Sequence, residues 1–296
     1  VINRILDFSD SPARLSVRHN NLVVEPQDQP ATTMPLSDIA VLVVSHPQVR
    51  YTHAVLAGLA ASGGIFITCG QNRLPVGMLL PLDAHFTQVE RFTAQASASK
   101  PLKKRLWQQI VRAKVLAQAR LLEELHGSDF GLSKLVPQVA SGDPSNIEAR
   151  AARQYWQLLF GDKEFRRARD LEDQNTLLNY GYAVLRAIVA RAICSVGLHP
   201  ALGVHHHNRY SSYPLADDLM EPLRPAVDRG VVEMVRRHGD WIPLNPSIKR
   251  ELLGYLLGRF DFEGEQRTLF DLAARTASSL VDCFMNQGRQ LCLPSV

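Results

Sequence analysis

The strongest constraint on the fold is a buried-helix pattern that stops short. From Asn175 to Val196, the residues Leu178, Leu185, Ile188, Val189, Ala192 and Val196 recur at roughly 3.6-residue spacing. Gly197 ends this helix and Pro200 forbids its restart. A rigid element therefore delivers the chain into a turn-rich corner, which opens the stretch from Leu198 to Arg224. That stretch holds four histidines (His199, His205, His206, His207) and three carboxylates (Asp217, Asp218, Glu221). Three adjacent histidines cannot all point one way, so at most one or two serve a common ion. If Leu215 opens a helix, Asp218 and Glu221 stand at i and i+3 on one face. Pro222 and Pro225 make its continuation irregular.

A further acid, Glu148, falls in the first turn of a helix expected from near Ile147, behind the capping sequence Asp143-Pro144-Ser145-Asn146. There it either suits the positive end of the helix dipole or ligates an ion. Glu148, Ala152 and Tyr155 share a face, with Ala152 small enough for another helix to approach. Imidazole with carboxylates and no cysteine suits Mg2+ or Mn2+ better than structural zinc. The plainer alternatives are a solvent-facing histidine run and an Asp-Asp pair that caps a helix.

A chain of 296 residues is long enough for two domains, and its 46% apolar content supports real cores. No run of about 18 apolar residues is present, so no membrane span is expected. The N-terminus carries no signal-peptide pattern. Cys69, Cys194, Cys283 and Cys292 lack paired zinc spacing, and reduced, buried thiols in a cytoplasmic protein are expected. The net charge of +4 is unevenly spread. Residues 100–170 carry 14 Lys/Arg against 8 Asp/Glu, whereas 1–99 and 171–296 each run one short of balance. A polyanion-facing surface accounts for this, as does a solvated helical face.

The first eighty residues read as short β-strands with a hairpin turn at Arg18–Leu22 and one short helix within Val49–Ser62. The expected fold is α+β: a small β-sandwich-like domain over 1–84, then a larger all-helical catalytic domain over 85–296. Helices are expected from Lys100, with Pro101 in the first turn, to Gly127. A shorter piece follows over Leu132–Val139, and others over Ile147–Phe160, Ala226–Gly239, Ile248–Phe260 and Thr268–Met285. Candidate phosphate contacts are Lys103 and Lys104 in the basic segment, Lys163, Arg166 and Arg167 in the loop from Asp162 to Arg169, and Lys249 and Arg250 at a helix start.

Taken together, GDPSNIEARAARQYWQLLFG, GLHPALGVHHHN and LADDLMEPLRPAVD, behind a β-rich module, resemble the CRISPR-associated spacer-acquisition integrases, the first-numbered Cas proteins. The likeness covers nearly the whole chain, and its form is that of type II systems. The resemblance implies a metal site of Glu148, His206 and Glu221. His205 stands in a slot that is apolar in the family, a departure that leaves His205 as the alternative ligand or an assisting group, and Asp218 assists through water or DNA. It also implies a homodimer, with dimerisation through the N-terminal domain, and two such dimers flanking a dimer of the small second-numbered Cas protein. Double-stranded DNA, as prespacer and CRISPR repeat, is the implied substrate, with the type II effector nuclease and an accessory protein as further partners. The implied chemistry is attack of a 3′-hydroxyl on a phosphodiester. Rival readings are a standalone structure-specific repair nuclease and a non-catalytic DNA-binding scaffold.

Overall fold

The computed structural model describes residues 3–70, 75–81, 85–162, 164–168, 171, 173–206, 212–239, 242–286 and 290–294. Lys163, His207 and the expected domain boundary at residue 84 lie outside the described residues.

The N-terminal region forms two four-stranded sheets. β1 (Arg4–Phe8), β2 (Ala13–Arg18), β3 (Asn21–Pro26), β4 (Thr32–Pro35), β5 (Ile39–Val44), β6 (Arg50–Tyr51), helix α1 (His53–Ala61), β7 (Ile65–Cys69) and β8 (Pro75–Leu79) follow in order. One sheet runs β4-β3-β2-β6 and the other β1-β5-β7-β8, the latter parallel except for β8. The β2–β3 hairpin turns at His19 and Asn20, both at positive φ, the conformation a two-residue hairpin loop requires. β4 and β6 were not expected from the sequence, since Thr32–Pro35 is polar and β6 spans only two residues.

Alternation along β5 and β7 decides how the two regions join. Leu42, Val44 and Phe66 face the small core between the sheets with Leu15, Leu22 and Val24, joined by Ile39 at the start of β5, where the pairing with β1 shifts register. Val41, Val43, Ile65 and Ile67 point the other way, into the large helical core. With a two-residue period, each strand buries both faces, so every residue of β5 is buried.

The helical region comprises α2 (Gln88–Ser97), α3 (Lys100–His126), α4 (Ile147–Leu159), α5 (Gln174–Ser195), α6 (Pro214–Met220), α7 (Arg224–His238), α8 (Pro246–Leu256) and, after β9 (Phe260–Phe262) and β10 (Glu265–Arg267), α9 (Leu269–Asn286). The β9–β10 hairpin amends the all-helical expectation. It turns at Glu263-Gly264, both at positive φ, and its strands are short and mostly exposed, so periodicity does not reveal them. α8 accordingly stops at Leu256 rather than Phe260. The piece over Leu132–Gln138 is 3-10 in geometry. Ser99 caps α3 by accepting the Leu102 N–H, Pro101 lies in the first turn, and Gly127, at φ 70°, takes the left-handed cap that closes the helix.

α5 is the central post. It packs on α6, α7, α8, α9 and β5. By length and composition it is apolar enough to cross a membrane, which the sequence reading did not expect, yet its residues are mostly buried against protein. It ends at Gly197 with φ 66°, and the chain turns there into the histidine corner.

Candidate active site

Glu148 is presented by the first turn of α4. The helix is capped by Asp143, whose carboxylate accepts the N–H groups of Ile147 and Glu148, each at 2.9 Å; Asn146 provides no side-chain cap. The buried face of α4 is Ile147, Ala151, Tyr155 and Leu159, so the small residue at close packing is Ala151 and not Ala152. Glu148 stands one position round from that face, with its side chain 27% exposed.

Glu221 begins a 3-10 turn, Glu221–Leu223, that joins α6 to α7. Pro222 and Pro225 each fall in a first turn, where the missing N–H costs no helical hydrogen bond. The carboxylate of Glu221 is nearly buried. Arg224 Nη2 lies 3.0 Å from Oε1 and Lys114 Nζ lies 2.6 Å from Oε2. The Oε2 contact is close but falls short of good hydrogen-bond geometry. Burial alone raises a carboxyl pKa, but Arg224 and Lys114 more than offset it and bring Glu221 down to about 2. Lys114 also donates to Glu148 Oε1. Two glutamates 73 positions apart therefore converge on one ammonium. Burial pulls the Lys114 pKa down, yet Glu221 and Glu148 together hold it above its ordinary value.

The histidine corner is built around Asp218, which is 0% exposed. Its Oδ2 accepts the backbone N–H groups of Val204 (2.6 Å) and His205 (3.0 Å); its Oδ1 accepts that of His206 (3.2 Å) and faces His206 Nδ1 at 2.6 Å. With the carboxylate accepting, the proton of the neutral imidazole lies on Nδ1 and its Nε2 keeps the lone pair. That hydrogen bond, offset in part by burial and reinforced by the charges of Asp218, Glu221 and Asp217, raises the His206 pKa. Burial also rules out the DNA contact considered for Asp218; the residue organises the loop. His205 is exposed and stacks flat on Trp107 of α3, ring centroids 4.1 Å apart, while His206 meets the same indole edge-on at 5.4 Å. The two neighbours thus have different environments, and His206 has a carboxylate on Nδ1 in the arrangement that orients metal-ligating imidazoles.

Gly203 is fixed by space. A Cβ there meets His206 O at 2.6 Å, Pro214 Cβ at 2.9 Å and Asp218 Oδ2 at 3.2 Å. In Gly203→Ala the loop must shift, and catalytic turnover is expected to fall by at least about tenfold through misplacement of His206. A steady-state assay beside a thermal melt checks this; an unimpaired enzyme would mean that the loop's placement does not matter.

Among the described residues, no three His, Cys, Asp or Glu side chains close tightly enough to hold an ion. Donor chemistry nevertheless suits one. Two carboxylates already converge on a cation, one of their buried oxygens lacks a hydrogen bond, and a nearby imidazole has Nε2 available.

The basic candidates divide. Lys104, Arg166 and Arg250 are exposed and Lys103 is half-buried. Lys249 is not a phosphate contact: it is 2% exposed, paired with Asp7 at 3.6 Å and set 5.1 Å from the Tyr180 ring centre. Arg167 is likewise committed inward, donating to Asn175 Oδ1, Asn179 Oδ1 and Ala168 O and stacking on Tyr182. The sequence reading missed Lys114, Arg224 and Trp107. Lys114 did leave a signal, a lone charge within the apolar stripe of Leu106, Ile110, Ala117 and Leu121. Nothing local marked the others.

Residues 8–240 match the family described as CRISPR associated protein Cas1. The chain belongs to the Cas1 family. It is 37% identical to the CRISPR-associated endonuclease Cas1 of Neisseria meningitidis serogroup C (strain 8013) over 287 residues, 96% of this chain and 93% of that relative. This membership places it among the CRISPR-associated endonucleases. The fold is also that of a casposase bound to integration product (TM-score 0.78, 19% identity, 97% and 92% of the two chains covered). A Cas1 protein from Thermotoga maritima shares it too (TM-score 0.76, 18% identity, 97% and 99% covered).

Proposed function

We propose that this Cas1 chain is a metal-dependent integrase that joins the 3′-hydroxyl of a short DNA duplex to a phosphodiester in a CRISPR repeat array. The observation that carries the reading is the convergence of Glu148 and Glu221 on one cation position beside His206. Mg2+ or Mn2+ would be held by Glu148, Glu221 and His206 Nε2. When bound, the ion lowers the pKa of a coordinated hydroxyl and offsets charge on the phosphoryl oxygens. The chain's own groups do the rest. Asp218 keeps the His206 proton on Nδ1, Arg224 fixes the Glu221 carboxylate, and the stack on Trp107 holds His205 in place.

In strand transfer one P–O bond forms to the incoming 3′-oxygen and one breaks to the repeat strand's 3′-oxygen. The attacking hydroxyl gives up a proton and the leaving oxygen gains one. One ester replaces another, so no nucleotide triphosphate is needed. With water as nucleophile the same site nicks DNA.

The partners follow the same reading: double-stranded DNA, a second copy of the chain, and the small second-numbered Cas protein, with a type II effector nuclease and an accessory protein during capture. Support comes from the fold shared with the casposase and with a Cas6-RT-Cas1--Cas2 complex (TM-score 0.77, 19% identity, 96% of this chain and 35% of that one covered). Lys104, Arg166 and Arg250 are the exposed cations available to phosphates. A cytoplasmic setting belongs to this proposal.

The test is insertion of a labelled duplex into supercoiled plasmid with and without a repeat, in Mn2+ or EDTA, with and without the small partner. Joined product is expected only with metal, repeat and partner, and is lost in His206→Ala. Equal products on repeat-free plasmid without the partner would favour a standalone nuclease. Metal-independent joining, or unchanged joining in His206→Ala, would reject the site.

A further inference from the structure

The point on which Glu148 and Glu221 converge is taken by a cation that belongs to the chain. Lys114 lies on the inward face of α3, 8% exposed, and its ammonium bridges Glu148 Oε1 and Glu221 Oε2. Arg224 matches the other Glu221 oxygen. Two carboxylates thus face two cations, and this part of the site carries no surplus negative charge. A divalent ion needs carboxylate oxygens at about 2.0–2.6 Å. An ammonium already in contact with the same two oxygens stands where that ion must go, and like charges at such range repel strongly in a poorly solvated site. Glu148 is the open side of the arrangement, with 27% of its side chain exposed, whereas Glu221 and Lys114 are shut in.

Resting on the metal reading of Glu148 and Glu221, we propose that Lys114 is a displaceable internal counter-ion that keeps the site closed to metal until DNA arrives. An ion entering between the glutamates pushes the ammonium off both carboxylates. A buried ammonium without an anion is costly, and the phosphodiester of incoming DNA is the anion that receives it. Metal loading is therefore weak on the free protein and strengthened by DNA. By linkage, metal strengthens DNA binding by the same factor.

Mn2+ titration of the full chain, read as loss of the free-ion paramagnetic resonance signal, tests this without reference to activity. Lys114→Met is expected to bind Mn2+ at least about tenfold more tightly than the parent in the absence of DNA. A duplex should tighten binding in the parent and leave Lys114→Met nearly unchanged. Arg224→Gln removes a neighbouring positive charge without vacating the bridging point and should tighten binding less. Lys114→Gln repeats the measurement if the methionine variant fails to fold. Affinity in the Lys114 variants no greater than in the parent overturns the proposal, as does an equal gain in Arg224→Gln, which would make bulk charge the cause. Glu148→Gln, titrated with duplex present so that the parent binds the ion, separates the two levels: if it titrates identically to the parent there, the metal reading itself falls and the counter-ion proposal with it.

Discussion

Glu148→Gln is expected to reduce metal-dependent DNA cleavage and joining by about 10³-fold or more, equivalent to roughly 4 kcal/mol of transition-state stabilisation. The substitution keeps shape and removes one carboxylate charge. The side chain is partly solvated and the cap on α4 comes from Asp143, so the melting temperature should move by only a few degrees and duplex affinity measured without metal by little. Glu221→Gln should be as inactive but also less stable. It leaves Lys114 and Arg224 in a nearly buried site with a neutral amide between them, and breaking such a pair costs about 3–5 kcal/mol. Parallel melts and cleavage assays check both. An active Glu148→Gln protein would remove the chemistry from this site, and a Glu221→Gln protein as stable as the parent would show that the two cations find other partners.

The second large effect concerns a carboxyl outside the chemistry. Asp228 of α7 is buried and accepts the hydroxyl of Tyr155 from α4, at 2.7 Å, and that of Tyr182 from α5. Asp228→Ala leaves two buried hydroxyls without an acceptor, at about 1–3 kcal/mol each, and opens a void. A loss near 4 kcal/mol is expected, on the order of 10 °C in melting temperature for a chain of this size. Asp228→Asn supplies the pH probe. Burial, only partly offset by the two tyrosine hydroxyls, raises the Asp228 pKa to about 6 from an ordinary 3.8. Between those values the folded protein binds the proton that the unfolded chain has released. Stability relative to Asp228→Asn therefore falls as pH rises from about 4 to 6, by up to roughly 1.4 kcal/mol per pH unit, and levels off above 6. Glu221 acts in the opposite sense and lower down: its depressed pKa gives stability that is lost only as pH falls from about 4.5 toward 2. Denaturation series at several pH values check this, and parallel profiles for parent and Asp228→Asn would refute it.

Asp228 also shows how far local reading reaches. Nothing in RPAVDRG distinguishes an exposed helical aspartate from one joining three helices; α4 and α5 must both be in place before the two tyrosines reach it. Lys249 and Arg167 fail for the same reason. Each sits in a basic, loop-adjacent run that reads as solvent-facing, and each is turned inward by a partner distant in sequence or on a neighbouring helix: Asp7 for one, Asn175 and Asn179 for the other. The short strands β4, β6, β9 and β10 escaped because two to four residues are too few to display a period.

What the sequence determined by itself was whatever a few neighbouring residues settle through backbone geometry and burial. That includes the span of α5 to within a residue or so, the Pro101 start and Gly127 stop of α3, the β2–β3 turn, and the order in which an acid, an imidazole and a second acid are delivered. The tertiary structure alone decided which charges meet. Periodicity says that position 114 faces inward; it does not say that Glu148 and Glu221 wait there for the ammonium, or that Asp218 turns away from solvent to hold His206. Backbone preference is felt within a turn or two of the chain, whereas the energy of a buried charge is set by whichever segments surround it, and those are chosen only when the whole core closes.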